Sequence, residues 1–101
     1  MKNLDGRVVI VTGGSGGIGI VASELMANRG AQVVLAELDG ERAQTEAQRL
    51  LSQGLKATAI QTNVADKESV EAMVQKVTDQ FGRIDGLVNN AAMFSRVPMS
   101  R

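Results

Sequence analysis

The stretch that decides the fold is "VVIVTGGSGGIGIVASEL", residues 8–25. It passes from β-branched residues, through five glycines in the seven positions 13–19, into apolar residues at helical spacing. This order predicts a buried strand, a tight turn and a helix. The first turn of a helix has backbone N–H groups without intrahelical acceptors, and a diphosphate can bind them where no Cβ blocks its approach. The glycines therefore predict a phosphate-binding turn.

The rest of the sequence alternates short apolar runs with amphipathic runs. The apolar runs predict four strands, over residues 7–12, 32–37, 56–62 and 84–88. A helix is expected after each of the first three strands. This alternation predicts an α/β fold, namely a Rossmann-like doubly wound parallel sheet, in the order βαβαβαβ and with strand order 3-2-1-4.

Helix ends and buried faces are predicted from capping residues and apolar spacing. The expected N-caps of the second and third helices are Asp39 and Asp66. The expected stops are Gly30, Gly54 and Gly82. The first helix is expected to bury Ile18, Val21, Ala22, Leu25 and Met26. The second is expected to bury Ala43, Ala47, Leu50 and Leu51. The third is expected to bury Val70, Met73, Val74, Val77 and Phe81.

Composition and charge exclude several classes of function. The chain has 101 residues, 44% of them hydrophobic, which suits one small domain with its own core. Basic and acidic side chains number 11 each, so neither nucleic acid nor a membrane surface is an expected partner. The sequence has no cysteine and no histidine, and no metal site is predicted. Because no targeting signal or membrane-spanning stretch is found, a cytoplasmic location is expected.

The glycine-rich stretch fits two ligand-binding patterns. The pattern G-x-G-x-x-G, which is the dinucleotide-binding fingerprint of many Rossmann proteins, uses Gly14, Gly16 and Gly19. The pattern T-G-x-x-x-G-x-G uses Thr12, Gly13, Gly17 and Gly19. A tight connection between strand and helix that binds no ligand is the alternative. The strand before the glycines and the helix after them favour the ligand-binding interpretation.

An acidic residue at the end of the second strand indicates which dinucleotide would bind. Glu37 follows Gly19 by 18 positions, close to the spacing of about 20 at which an acid contacts the adenosine ribose. A carboxylate there accepts hydrogen bonds from free ribose hydroxyls and repels a 2′-phosphate. Neither Gly16 nor Leu38 is a basic residue that would offset this repulsion. The sequence therefore favours NAD over NADP, although an acid at a strand end can also be a solvated charge or a cap.

Three motifs carry a resemblance to a known family. The segments "TGGSGGIG" at 12–19, "NVAD" at 63–66 and "NNAA" at 89–92 closely resemble those of the short-chain dehydrogenase/reductase family. The resemblance extends to about Phe94 and favours the second glycine pattern. It implies a Rossmann domain that transfers hydride between NAD(H) or NADP(H) and an alcohol or ketone.

The resemblance also implies a set of cofactor-binding residues. Those at the diphosphate and its neighbouring ribose would be Gly13, Ser15, Gly17, Ile18 and Gly19. Those at the adenosine ribose would be Glu37 and Leu38, and those at the adenine Asn63 and Val64. Those at the nicotinamide-side ribose would be Asn90 and Ala91, with Asn89 holding the central strands together.

Two positions depart from the family pattern. Asn63 stands where the family usually has aspartate, and its carbonyl oxygen is expected to accept a hydrogen bond from the adenine amino group. Ala92 replaces the more usual glycine, a small change that tightens the turn slightly.

No catalytic residue is predicted. The family uses a tyrosine, a lysine four residues after it and a serine, all located beyond the fourth strand, and this sequence contains no tyrosine. We therefore expect residues 1–95 to be an incomplete dinucleotide-binding domain, followed by a frayed tail at 96–101. Alone, the chain is expected to be inactive.

The fourth strand would be an open, apolar sheet edge, so self-association through it is expected. One alternative function is a non-catalytic dinucleotide-binding or interaction module that pairs through this strand. Another is a different Rossmann protein, such as a flavoprotein or methyltransferase, which would use the first glycine pattern.

Overall fold

The computed structural model describes residues 3–13 and 17–89 of the chain. Its elements are β1 (Val8–Thr12), α1 (Gly17–Asn28), β2 (Gln32–Glu37), α2 (Gly40–Ser52), β3 (Lys56–Gln61), α3 (Lys67–Phe81) and β4 (Gly86–Asn89). The strands form a parallel four-stranded sheet in the order β3-β2-β1-β4. The predicted fold class and strand order are confirmed.

The central strands are buried on both faces, which explains their continuous apolar runs. All five residues of β1 are buried. Because side chains alternate along a strand, β1 contributes to two cores. Val9 and Val11 join the core beneath α1 and α2, whereas Val8 and Ile10 join the core beneath α3. The helices therefore cover both faces of the sheet, as doubly wound topology requires.

The predicted buried face of α1 was wrong in part: of its five members only Ala22 and Met26 are half-buried, and Met26 packs against the core. Its buried residues are Gly19, Ser23 and Ala27. Ile18, Val21 and Leu25, which were expected inside, are 50%, 58% and 59% exposed. Apolar residues occur on nearly every side of this helix, so their spacing does not single out one face. Three small residues let the helix approach the sheet, whereas Ile18, Val21 and Leu25 lie outward.

Smaller differences occur in the other two helices. Leu51 and Val74 were also expected to be buried, and they are 46% and 38% exposed. The remaining predicted members of these faces are buried or half-buried in the two cores. Both exceptions lie at the margin of an apolar stripe whose centre packs on the sheet.

The predicted helix ends are confirmed. Asp39 caps α2 by accepting a hydrogen bond from the Arg42 N–H at 3.2 Å, and Asp66 caps α3 through the Glu68 N–H at 3.1 Å. Gly82 ends α3 with a φ of +79°, a left-handed conformation that favours glycine. These caps fix where the loops at the sheet edges begin.

Strand β4 begins at Gly86, two residues later than predicted. The residue before it, Asp85, fixes this start through its bonds to β1. The Asp85 N–H donates to the Val8 carbonyl oxygen at 2.8 Å, and its Oδ2 accepts from the Val8 N–H at 2.8 Å. Arg83 donates to both carboxylate oxygens at 2.8 and 2.7 Å, and Arg7 lies 3.6 Å away. The Arg83 hydrogen bonds, followed by the Val8 N–H, lower the pKa of Asp85 to about 2. We call these four residues the amino-edge clamp.

Candidate functional site

The predicted site residues follow the carboxyl ends of the strands. Gly13 follows β1, Glu37 ends β2 and Leu38 follows it, while Asn63 and Val64 lie just after β3. Because the strands are parallel, these positions share one edge of the sheet. The chain runs outward from β1 to β2 and β3, then crosses to β4 on the other side, so β1 lies at the switch point. Ligands of open α/β sheets bind outside the carboxyl ends of the strands at such a point.

The glycine turn starts as an extension of the sheet. The Gly13 N–H donates to the Ala36 carbonyl oxygen at 2.9 Å, and Gly13 then turns with a φ of +66°. A residue with a side chain rarely adopts this left-handed conformation. Ser15, together with residues 14 and 16, lies outside the described residues.

The start of α1 offers donors in open space. A Cβ added at Gly17 would meet no atom of the described residues within 4 Å, and the first turn contains no acidic residue. No described residue outside α1 accepts a hydrogen bond from Gly17, Ile18 or Gly19. First-turn N–H groups also lack intrahelical acceptors, and the helix dipole makes this end positive. The described part of the turn therefore fits a bound diphosphate.

The end of β3 holds the backbone around Glu37 and Leu38. The Thr62 N–H donates to the Glu37 carbonyl oxygen at 2.9 Å, and the Gln61 Nε2 donates to the Leu38 carbonyl oxygen at 3.1 Å. The Gln61 side chain also lies against Gly40, where an added Cβ would be 3.3 Å from the Gln61 Cβ. Gln61 was not among the predicted site residues, because its role depends on the register of β2 with β3.

Two grooves open beside this edge, on opposite faces of the sheet. A groove of about 660 Å³ lies between the start of α2 and β3, and Leu38, which is 63% exposed, lines it. An apolar groove of about 280 Å³ lies between α3 and β4, and Val64, which is 45% exposed, lines it. Leu38 and Val64 are thus not brought together in one cavity. They flank the sheet edge from its two faces.

The loop after β3 is ordered by Asn63. Its backbone N–H donates to the Ser69 Oγ at 2.9 Å, and its carbonyl oxygen accepts from the Asp66 N–H at 2.9 Å. Its side-chain Oδ1 accepts from the Ala65 N–H at 3.0 Å, which forms an Asx-turn. The side-chain oxygen expected to contact a base therefore already has a donor within the loop.

Asn89 joins the two strands that border the switch point. The Thr12 Oγ1 donates to the Asn89 Oδ1 at 2.9 Å, and these two residues are also register partners of β1 and β4. This bond agrees with the expected role of Asn89 between the central strands. The predicted site residues Asn90 and Ala91 lie outside the described residues, as do Ala92 and the tail expected at 96–101.

Comparison with known proteins identifies the class to which this fold and edge belong. The chain matches the family model for short chain dehydrogenases over residues 7–101. This chain belongs to the short-chain dehydrogenase family, a family of oxidoreductases, and contains its NAD(P)-binding Rossmann region.

Particular relatives give the scale of the similarity. An uncharacterized oxidoreductase of Thermotoga maritima is 45% identical over 91% of this chain and 36% of its own length. A galactitol 2-dehydrogenase of Agrobacterium fabrum is 38% identical over 96% of this chain and 37% of its own. A solved structure of a Haemophilus influenza protein, described as a D-mannonate oxidoreductase, contains bound NAD. Its sequence is 29% identical to this chain and its TM-score is 0.80, and the match covers 84% of this chain and 30% of that protein. The chain thus spans about a third of these relatives.

Within the part of the chain that the structure describes, no helix is both long and apolar enough to cross a bilayer.

Proposed function

We propose that this chain is the NAD-binding part of a short-chain dehydrogenase that transfers hydride between NAD and an alcohol or ketone. The observation that carries the choice of NAD is the position of Glu37. It is half-buried, ends β2 beside the switch point and is followed by Leu38 instead of a basic residue. A carboxylate held there favours a ribose with free hydroxyls and opposes a 2′-phosphate.

The residues of this chain bind and orient the cofactor. The N–H groups of Gly17, Ile18 and Gly19 donate to the diphosphate, and Gly13 lets the backbone turn close to it. Glu37 accepts from the adenosine ribose. Around the base lie Leu38, Asn63 and Val64. From the sequence, Ser15 joins the diphosphate site, and Asn90 and Ala91 border the nicotinamide-side ribose. When bound, the nicotinamide ring supplies the hydride acceptor or donor.

Acid–base catalysis is not assigned to any residue of this chain. The sequence contains neither tyrosine nor histidine. A general acid must lie within hydrogen-bond reach of the reacting oxygen, and the lysines among the described residues, Lys56, Lys67 and Lys76, lie at the start of β3 and on α3. We expect the chain alone to bind dinucleotide without turning over alcohols or ketones.

Calorimetric titration with NAD and NADP, alongside the matched variant Glu37→Gln, tests the proposal. We expect NAD to bind more tightly than NADP by about tenfold or more, because a 2′-phosphate would face a carboxylate. Glu37→Gln should reduce this ratio to near unity while the protein remains folded. Tighter binding of NADP by the wild type would contradict the choice of NAD, and no binding of either would contradict the proposed function.

A second candidate function is interaction through β4. Among the described strands β4 lies at one edge of the sheet, and Leu87 on it is 60% exposed. Ile84 and Val74, which line the same apolar groove, are each 38% exposed. An open apolar edge favours pairing with another strand. Sedimentation should show concentration-dependent dimers that Leu87→Lys abolishes, and a monomer at all concentrations would exclude this function for the isolated chain.

A further inference from the structure

The sequence contains three pairs in which glycine follows aspartate, at 5–6, 39–40 and 85–86. In such a pair the glycine has no Cβ, so its backbone nitrogen can approach the carboxyl carbon of the aspartate before it. Attack by this nitrogen closes a five-membered succinimide ring and expels one water. Hydrolysis returns the water and gives either aspartate or isoaspartate, in which the main chain runs through the side-chain carboxyl group. No other reactant is needed, so the outcome in a folded protein depends on how each pair is held.

The pair Asp85–Gly86 is held at the start of a strand. The Asp85 carboxylate accepts from the Val8 N–H at 2.8 Å and from Arg83 at 2.8 and 2.7 Å, and Gly86 is the first residue of β4. Ring closure uses the neutral carboxyl group, which is rare here because the pKa of Asp85 is lowered to about 2. Compared with an ordinary aspartate, the neutral fraction at neutral pH falls by about tenfold or more. This pair is therefore protected.

The pair Asp39–Gly40 is held at the start of a helix. The Asp39 side chain accepts from the Arg42 N–H at 3.2 Å and caps α2. Gly40 packs against Gln61, since an added Cβ would lie 3.3 Å from the Gln61 Cβ. The carboxyl group must leave the cap before it can turn toward the Gly40 nitrogen. Loss of the cap slows ring closure by about fivefold.

The pair Asp5–Gly6 lies outside the helices and strands of the described residues. Both residues are exposed, and they occupy a turn in which the Arg7 N–H donates to the Leu4 carbonyl oxygen at 3.0 Å. Gly6 has a φ of +80°, and a Cβ added there would meet no described atom within 4 Å. The Asp5 carboxylate lies against Gly30, where an added Cβ would collide with it. Because this contact is at the surface, the carboxyl group can turn toward the Gly6 nitrogen without moving a helix or a strand.

We propose that Asp5–Gly6 is a site of isoaspartate formation in the folded protein, while the helix cap and the strand protect the other two pairs. The product has one more methylene in its main chain and a displaced carboxylate. It therefore disturbs the contact of Asp5 with Gly30 and the bond from the Leu4 N–H to the Arg29 carbonyl oxygen at 3.0 Å. Both contacts join the segment before β1 to the end of α1. This inference does not depend on the proposed function.

The test compares the three sites within the same full chain, folded and in denaturant, at neutral pH and physiological temperature. Digestion followed by electron-transfer fragmentation locates isoaspartate and measures how fast it accumulates at each site. In denaturant the three rates should be similar, because every site is an aspartate followed by glycine. In the folded protein Asp5 should keep a rate close to this value. The rate at Asp39 should fall by about fivefold and that at Asp85 by about tenfold or more.

Two variants serve as controls. Asp5→Glu keeps the carboxylate but would have to close a six-membered ring, which forms much more slowly, so the product at residue 5 should disappear. Arg83→Gln removes the charge that keeps Asp85 ionised, so the rate at Asp85 should rise and that at Asp5 should not change. If Asp5 in the folded wild type reacts no faster than Asp39 and Asp85, the inference is overturned, whether all three sites are slow or all react through global unfolding.

Discussion

The amino and carboxyl edges of the sheet differ in how their polar groups are used. At the amino edge, the carboxylate of Asp85 accepts from the Val8 N–H and from Arg83, and the charges of the clamp are paired. At the carboxyl edge, the first N–H groups of α1 and the Nδ2 of Asn63 have no partner among the described residues outside their own elements. Paired groups stabilise the fold, whereas unpaired donors in open space can bind a ligand. The difference indicates that folding and binding can be altered separately.

The largest expected effect comes from adding a negative charge at the carboxyl edge. Gly17→Asp puts a carboxylate beside the proposed diphosphate, in space where an added Cβ meets no described atom within 4 Å. Like charges about 5 Å apart should lower the affinity for NAD by about 100-fold or more. An acid in the first turn of a helix also stabilises it by about 0.3–1 kcal/mol. Calorimetric titration and thermal melting together should therefore show a more stable protein that no longer binds.

Gly17→Asn is the matched control for this change. It has nearly the same size without the charge, so both variants share the steric loss of affinity, and the further loss in Gly17→Asp measures the effect of the charge. An aspartate variant that still binds NAD as the wild type does would place the diphosphate away from α1 and remove the contrast between the two edges.

The amino-edge clamp should affect stability without affecting binding. Asp85→Asn keeps one oxygen for the Val8 N–H and loses the charge-assisted bonds to Arg83, so the melting temperature should fall. The folded protein should bind NAD with unchanged affinity. A loss of affinity at a temperature where the variant is fully folded would show that the edges are coupled.

The same clamp predicts a pH dependence. Because Arg83 and the Val8 N–H hold the pKa of Asp85 at about 2, below the ordinary value of 3.8, folding favours the charged form. Its stabilisation is fully present above about pH 4 and is lost as the pH falls toward 2. Melting temperatures measured over this range should fall more steeply for the wild type than for Asp85→Asn. If the melting temperatures of the two proteins fall equally with pH, the pH dependence does not come from Asp85.

The sequence predicts the sheet and the helix ends well because these depend on local signals. The β-branched runs of β1 and β2 are buried on both faces, and Asp39 and Asp66 occupy the positions that capping requires. The glycine pattern and Glu37 could also be placed at one edge, since parallel strands end together.

What could not be predicted depends on contacts between distant residues or on single atoms. The buried face of α1 is chosen by Gly19, Ser23 and Ala27, which are small enough for close packing, and apolar spacing does not reveal this. The bond from Gln61 to Leu38 requires the strand register. The turn made by Asn63 depends on which side-chain atom the loop uses.

Between the two edges, Ser23 offers a smaller test of the same distinction. Its hydroxyl is buried beneath α1, where the described residues supply no hydrogen-bond partner. A buried polar group without a partner is destabilising, so Ser23→Ala should raise the free energy of unfolding by about 1 kcal/mol. Chemical denaturation measures this change, and NAD affinity should not change. Destabilisation would instead show that the hydroxyl has a partner.

The smallest expected effect concerns Gln61, where the fold and the proposed site meet. Gln61→Met has a similar size but cannot donate to the Leu38 carbonyl oxygen, so the backbone beside Glu37 loses this bond and keeps the one from the Thr62 N–H. Because this bond is exposed, we expect the NAD-to-NADP affinity ratio to fall only about threefold, with little change in melting temperature. A general loosening of the site would weaken the binding of NAD and of NADP equally and leave the ratio of the two affinities constant. A changed ratio therefore indicates that Gln61 acts by positioning Glu37, whereas a constant ratio indicates that Gln61 has a structural role only.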